Sequence, residues 1–203
     1  MAVSSTGPAQ ASARRYWDRS HGLYVVKIHP GEFFVSGAGE AIATVLGSCV
    51  AACIRDRETG VGGMNHFMLP DRREGPEEGD AGNRYGIFAM ENMINQILKE
   101  GGRRSGLEAK VFGGARIQQH VRNSVGWSNI GFVLDFLATE GIPLLAQDVG
   151  NAFPRRVVFF PRSGRARVLR LASNAEVAAS QEEAKYRVEI EKGPGDGDVE
   201  WFG

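Results

Sequence analysis

The alternation of apolar and polar residues predicts three strands between residues 41 and 70. Apolar runs cover residues 41–46, 49–55 and 60–69, and the turn-forming pair Gly47-Ser48 separates the first two. The polar residues 56–59 separate the second run from the third. Short apolar runs bounded by turn formers are typical of strands and hairpins. We therefore expect a hairpin with a four-residue loop at 56–59, in which Arg55 pairs with Gly60.

Further elements are predicted on both sides of this hairpin. Residues 23–28 and 32–36 are predicted strands, separated by Pro30-Gly31 and expected to pair with 41–46. Helical spacing of apolar residues predicts a helix over 85–100 that stops at Gly101-Gly102. A second helix is predicted to run to Glu140 with Ser128 or Asn129 as its N-cap. The remaining predicted elements are strands at 107–112, 143–149, 157–160 and 166–171 and a last helix over 174–192.

This order of elements predicts an α/β or α+β layered sandwich, in which a mixed, largely antiparallel sheet packs on helices. The length of 203 residues and the 42% hydrophobic content suit one sizeable core. We expect a single domain over residues 21–192. Residues 1–20 and 193–203 are expected to be flexible tails, because they lack a regular apolar pattern.

Charge and hydropathy limit the classes of function. The chain has 24 basic and 24 acidic residues, which argues against a nucleic-acid binder held by phosphate contacts. No apolar run approaches the roughly 18 residues of a membrane span, and the first 20 residues lack the apolar core of a signal peptide. We therefore expect a cytoplasmic protein that does not insert into a membrane.

Cys49 and Cys53 are the two cysteines of the chain. On one extended strand they would lie about 13 Å apart, whereas a disulfide requires Cα atoms within about 7 Å. Both are expected to be free thiols, as is usual in a reducing compartment. A metal site made of Cys49, Cys53 and His66 is disfavoured by ligand number and spacing. Cys53 is expected to pack in the core.

Cys49 and His66 are the candidate catalytic pair. In the predicted hairpin register they lie opposite each other, with Cβ atoms about 4.5–5.5 Å apart. An imidazolium next to a cysteine lowers the thiol pKa and favours the reactive thiolate. Backbone N–H groups of Gly47, Ser48 or Cys49 could stabilise an oxyanion. The alternative is that Cys49 is an inert core residue and His66 a structural histidine.

Several motifs resemble the bacterial chemoreceptor glutamine deamidase family, CheD. They are the sequence from Leu46 to Val50 (LGSCV), Asn65-His66 followed by Met68-Leu69-Pro70, the sequence from Lys110 to Ala115, Asn129-Ile130 and Phe159-Phe160-Pro161. The resemblance covers roughly residues 25–171. It implies an α/β sandwich related to toxin glutamine deamidases. It also implies hydrolysis of glutamine side-chain amides on methyl-accepting chemotaxis receptors, without a metal or organic cofactor.

The resemblance also implies roles for individual residues. Cys49 matches the family nucleophile and His66 the family base. Thr44 is the nearest candidate for a family threonine that orients the base, although Ala43 occupies the adjacent position. Gly113-Gly114 and Asn65 are candidate walls of the pocket, with packing glycines as the alternative for the first pair. A CheC-type phosphatase or the receptor methylesterase is an expected protein partner.

Three other functions fit the same residues. A transglutaminase would form the same thioester and transfer it to an amine. A cysteine protease would cleave the backbone. A regulator without catalytic activity would act by binding a phosphatase of the CheC type.

Overall fold

The structure is a computed structural model that describes residues 9–10, 14–69, 78–116, 125–171, 183–186 and 188. It contains eleven strands, two long α-helices and a short 3-10 helix at Arg104–Gly106 in these ranges, and residues 183–186 and 188 are also helical. The helices are α1, Glu78–Lys99, and α2, Val125–Thr139. The strands are β1 Ala9–Gln10, β2 Arg15–Asp18, β3 Leu23–Lys27, β4 Glu32–Ser36, β5 Ala41–Leu46, β6 Val50–Asp56, β7 Gly62–Asn65, β8 Leu107–Gly113, β9 Leu144–Val149, β10 Arg155–Phe160 and β11 Arg165–Arg170.

The strands form two mixed sheets. Sheet one has six strands in the order β1-β4-β7-β6-β8-β9, and sheet two has five in the order β11-β10-β5-β3-β2. Pairing is antiparallel except at β1–β4, β3–β5 and β8–β9. The predicted α+β layered fold with largely antiparallel pairing is therefore confirmed.

The core is divided between the two faces of sheet one. Along β6, Val50, Ala52 and Ile54 belong to a buried cluster with the apolar residues of α1 and α2. Ala51 and Cys53 belong to a second cluster, shared with residues of sheet two. Because side chains alternate along a strand, helices cover one face of sheet one and sheet two covers the other.

Two predicted pairings differ from the structure. Strand β3 pairs with β5 as expected, but β4 pairs with β7 in sheet one. The hairpin loop is Arg57 to Gly60, closed by hydrogen bonds of Asp56 to Val61 and Gly60, so Arg55 pairs with Gly62. The predicted register was wrong by two residues, because Asp56 is the last residue of β6 and not the first residue of the loop.

The ends of several elements also differ from the prediction. Helix α2 begins at Val125, so Asn129 lies inside the helix and is not its N-cap. Strands β1 and β2 lie within the predicted N-terminal tail and pair with β4 and β3, respectively. The division into domain and tails remains a prediction. Of the predicted helix 174–192, residues 183–186 are helical, and most of the rest lies outside the described residues. Among the described helices, none is long and apolar enough to cross a membrane.

Candidate active site

Cys49 lies in the short turn that connects β5 of sheet two with β6 of sheet one. Gly47, Ser48 and Cys49 form this turn. The Cys49 side chain is fully buried and belongs to the cluster between the sheets. The candidate nucleophile therefore lies where the chain passes from one sheet to the other.

His66 follows directly after β7. Its N–H donates to the carbonyl of Glu32 at 2.9 Å, and its carbonyl accepts from Gly31 at 2.8 Å. Phe67 forms an antiparallel β-bridge with Val50. In this register His66 lies opposite Ala51 and is therefore a diagonal neighbour of Cys49. The Cys49 sulfur, an imidazole nitrogen of His66 and a carboxylate oxygen of Glu183 lie within 4.8 Å of one another. The structure thus brings the candidate pair together.

Thr44 fixes the orientation of the His66 ring. Its Oγ1 lies 2.9 Å from the carbonyl oxygen of Ile28, to which it donates, and 2.8 Å from His66 Nδ1. A hydroxyl has one proton to donate, so Thr44 accepts a hydrogen bond from Nδ1–H. We therefore assign the tautomer with a lone pair on Nε2. Ala43 packs on the outer face of sheet two with Val25, so alternation along β5 assigns the inner position to Thr44.

His66 is neutral at pH 7. Burial lowers its pKa to about 3, and His29 contributes in the same direction. Among the described residues, none forms a hydrogen bond with Nε2. The sequence-based picture of a resting imidazolium is therefore not what the structure favours. A neutral imidazole with a free lone pair is suited to removing a proton from a thiol during attack.

The N–H groups of the turn bind a carboxylate from a distant part of the chain. Oε1 of Glu183 accepts from the backbone N–H of Gly47 at 2.7 Å and of Cys49 at 3.1 Å. Oε2 accepts from the N–H of Ser48 at 2.8 Å and from its hydroxyl at 2.7 Å. The turn therefore binds negatively charged oxygen, as an oxyanion site must.

The same three side chains, Cys49, His66 and Glu183, could in principle hold a metal ion. A carboxylate offers about four lone-pair positions, and those of Glu183 already accept four hydrogen bonds. A metal ion would have to displace at least one of these donors. The donor set therefore fits a metal ion poorly.

Asn129 connects the two segments that carry Cys49 and His66. Its Nδ2 donates to the carbonyl of Ser48 at 3.0 Å, and its Oδ1 accepts from the N–H of Leu69 at 2.8 Å. The side chain is fully buried, so both bonds form away from solvent. Asn129 therefore links Leu69, in the segment after His66, to Ser48 in the turn that contains Cys49.

Gly113 and Gly114 lie directly against the backbone of Cys49. The N–H of Gly114 donates to the carbonyl of Cys49 at 2.7 Å, and a Cβ at Gly113 would lie 2.2 Å from the same oxygen. Both glycines have positive φ, 110° and 67°. The buried guanidinium of Arg155 donates to the carbonyls of Gly113 and Gly150 at 2.9 and 2.6 Å. The diglycine thus packs directly against the backbone of Cys49, and its role as a pocket wall stays a prediction.

Two other predicted residues lie away from this group of atoms. The amide of Asn65 bonds to the N–H of Ala52 at 2.8 Å and to the sulfur of Met90 at 3.2 Å, on the helix-covered face of sheet one. Asn65 therefore contacts α1, on the face of sheet one opposite the Cys49 side chain. Cys53 is free and buried in the core between the sheets, as expected, and burial raises the pKa of its thiol.

Comparisons with known proteins decide the family. The family model described as "CheD chemotactic sensory transduction" matches residues 68–170, just over half of the chain. A protein of Hydrogenovibrio crunogenus named "Probable chemoreceptor glutamine deamidase CheD" is 48% identical over 187 residues, covering 91% of this chain and 97% of its own. The chain belongs to the CheD family.

Further members of the CheD family show the same relationship. A protein of the same name from Halorhodospira halophila is 46% identical over 200 residues, covering 96% of this chain and 92% of its own. Another, from Bordetella petrii, is 51% identical over 178 residues, covering 85% of this chain and 79% of its own. The family assignment therefore extends over nearly the whole chain.

Sequence reasoning missed two residues of the site. Asn129 was part of a motif of the family resemblance and, with Ser128, an alternative helix cap, but its contacts were not predicted, although a buried asparagine within an apolar helix face signals a specific partner. Glu183 is separated from Cys49 by 134 positions. Nothing in its local sequence distinguishes it from the neighbouring acidic residues.

Proposed function

We propose that this protein hydrolyses glutamine side-chain amides of methyl-accepting chemotaxis receptors to glutamate and ammonia. One observation carries the proposal. The Cys49 sulfur and a nitrogen of His66 lie close to the carboxylate that the N–H groups of Gly47 and Cys49 bind. The relatives described above, each named a probable chemoreceptor glutamine deamidase, supply the substrate class.

The proposed reaction begins when Cys49 Sγ attacks the side-chain carbonyl carbon of a glutamine. His66 Nε2 takes the thiol proton, and the carbonyl oxygen becomes an oxyanion held by the N–H groups of Gly47 and Cys49. The carbon–nitrogen bond then breaks. The departing nitrogen receives the proton from His66, so ammonia leaves and a thioester to Cys49 remains.

Water completes the proposed cycle. His66 takes a proton from a water molecule that attacks the thioester carbon, and the oxyanion forms again at the same N–H groups. When the carbon–sulfur bond breaks, the thiolate regains a proton and glutamate is released. One water is consumed and one ammonia is formed for each glutamine.

Neighbouring residues would keep the pair aligned. Thr44 sets the tautomer of His66 through the hydrogen bond at Nδ1. Asn129 joins the segments of the nucleophile and the base, and Gly114 binds the carbonyl of Cys49. None of these steps uses a metal or an organic cofactor.

Location and regulatory partners are part of the proposal. A cytoplasmic location agrees with two cysteines that form no disulfide. Association with a CheC-type phosphatase or with the receptor methylesterase is expected from the family resemblance.

The test is release of ammonia from a glutamine-bearing receptor cytoplasmic fragment, measured with and without an added primary amine. The proposal predicts ammonia release in both cases and glutamate at the modified positions. Release that requires the amine would indicate a transglutaminase, and new chain termini in the fragment would indicate a protease. Either result would contradict the proposal.

A further inference from the structure

The carboxylate of Glu183 occupies the place where the proposed reaction forms its oxyanion. Oε1 accepts from the N–H groups of Gly47 and Cys49, which are the two donors assigned to the oxyanion. A carboxylate oxygen of Glu183 also lies within 4.8 Å of the Cys49 sulfur. A substrate amide and the Glu183 carboxylate therefore cannot occupy this site together.

The occupied site is closed to solvent. Cys49 and His66 are buried to 99% or more, and Glu183 is only 5% exposed. A thiol in this state cannot meet a glutamine of another protein. The described conformation is therefore not the one that attacks a substrate.

A second contact fixes the same helical turn, residues 183–186, to the domain. The Tyr186 hydroxyl forms a hydrogen bond with that of Tyr85 on α1. The Tyr186 ring packs directly against Gly31. A Cβ atom added at Gly31 would lie 2.5 Å from this ring. Gly31 donates its N–H to the carbonyl of His66. The turn 183–186 is thus held beside both His66 and the turn of Cys49.

The side chain that enters the site has the chemistry of the proposed product. Deamidation of glutamine yields a glutamate carboxylate with one oxygen still near the oxyanion donors. Glu183 lies in a helical turn and places the same carboxylate group against the N–H groups of Gly47 and Cys49.

From these contacts we infer that the turn 183–186 is an internal pseudosubstrate that holds the enzyme in an inactive state, with Glu183 in the position of the reaction product. This inference rests on the proposed function, because a pseudosubstrate presupposes that the enzyme acts on glutamine side chains. A receptor glutamine must displace Glu183 before Cys49 can attack it. The apparent affinity for substrate is accordingly reduced by the fraction of molecules in which the site is open.

The first test needs no substrate. Native full-length protein is treated with iodoacetamide, and modification of Cys49 is followed by peptide mass spectrometry in the wild type, Glu183→Ala and Lys185→Ala. Lys185 is exposed on the same turn and is the matched control. Because the carboxylate accepts four hydrogen bonds, we expect Glu183→Ala to raise the rate at least about tenfold and the control to leave it unchanged. Equal rates in all three proteins would overturn the inference.

The second test uses Glu183→Gln, which places an amide where the carboxylate lies. If the site is substrate-like, the new glutamine is hydrolysed within the same chain, and the peptide shows the mass gain of conversion to an acid. The gain should be absent when Cys49→Ala is added. A Glu183→Gln variant that deamidates the receptor fragment but leaves its own glutamine intact would contradict the pseudosubstrate assignment.

The two proposals can fail separately. In one outcome, Cys49 is alkylated faster in Glu183→Ala but no variant deamidates the receptor fragment. This would support the conclusion that Glu183 closes the site and would refute the proposed function. Deamidation of receptors by the wild type, with alkylation and receptor turnover unchanged in Glu183→Ala, would sustain the function and refute the pseudosubstrate. Thermal unfolding of each variant shows whether a faster reaction comes from general loss of structure, which would also contradict the inference.

Discussion

Thr44 lies in sheet two and His66 directly after β7 of sheet one, and a hydrogen bond of 2.8 Å joins Oγ1 of Thr44 to Nδ1 of His66. Because the Thr44 proton goes to Ile28, the bond defines which imidazole nitrogen has the lone pair. The base is therefore positioned by sheet two although it is carried by sheet one.

Replacing Thr44 by valine removes this bond with little change in shape. We expect Thr44→Val to lower kcat for receptor deamidation by about 10- to 100-fold, because the imidazole loses its fixed tautomer and orientation. Thr44→Ser keeps the hydroxyl and should retain most of the activity. Ammonia release measures both variants. Equal kcat for valine and wild type would show that Thr44 does not position the base.

The buried His66 predicts a specific dependence of stability on pH. Its pKa falls from 6.5 in the unfolded chain to about 3 in the folded protein. Between these values the unfolded state binds one more proton, so acidification lowers the free energy of unfolding by up to about 1.4 kcal/mol per pH unit. At pH values above 6.5, the pKa of His66 in the unfolded chain, this contribution to stability is fully present.

Urea unfolding of the wild type and His66→Gln between about pH 5 and pH 7.5 isolates this effect, since the other titrating groups cancel in the comparison. The wild type should lose more stability on acidification than the variant does. Parallel profiles would mean that His66 is accessible to protons in the folded state.

Asn129 supports both halves of the site through two buried hydrogen bonds. Asn129→Asp can still accept from Leu69 but cannot donate to Ser48, and it buries a charge. We expect a loss of about 1–3 kcal/mol in the free energy of unfolding, together with lower kcat. Urea unfolding and ammonia release provide the two readouts. Ser128→Ala, at the exposed neighbouring position, should be close to neutral; an equal loss in both variants would contradict the role of Asn129.

Gly113 permits the close approach of β8 to Cys49. Gly113→Ala would place a Cβ 2.2 Å from the carbonyl oxygen of Cys49 at a φ of 110°, so we expect strong destabilisation and loss of activity. Gly131→Ala is the matched control, because a Cβ there meets no atom within 4 Å and helix propensity improves. Thermal unfolding should separate the two variants. Similar unfolding temperatures would contradict the packing argument.

The hairpin and the candidate pair could be predicted from the sequence because they depend on local alternation and turn residues. The register was wrong by two residues, yet a shift of two keeps side chains on the same face, so His66 still meets Cys49 as a diagonal neighbour. The place of β4 in sheet one was not predicted. Alternation alone does not choose between two sheets that bury similar apolar faces.

The contacts of Asn129 and Glu183 could not be predicted from local patterns. Both depend on backbone groups of the turn 47–49 that are brought near them only by the complete fold. Thr44 was ambiguous in the sequence, and the alternation along β5 resolves it, since Ala43 faces the outer cluster.

Cys49 and Cys53 provide the most direct test of the central claim. The protein is incubated with a glutamine-bearing receptor cytoplasmic fragment, and conversion of glutamine to glutamate is followed by site-resolved mass spectrometry. We predict conversion by the wild type and Cys53→Ala, and none by Cys49→Ala. Cys53 is the control because it is buried in the same core with a raised thiol pKa. Conversion by Cys49→Ala at the wild-type rate would contradict the account.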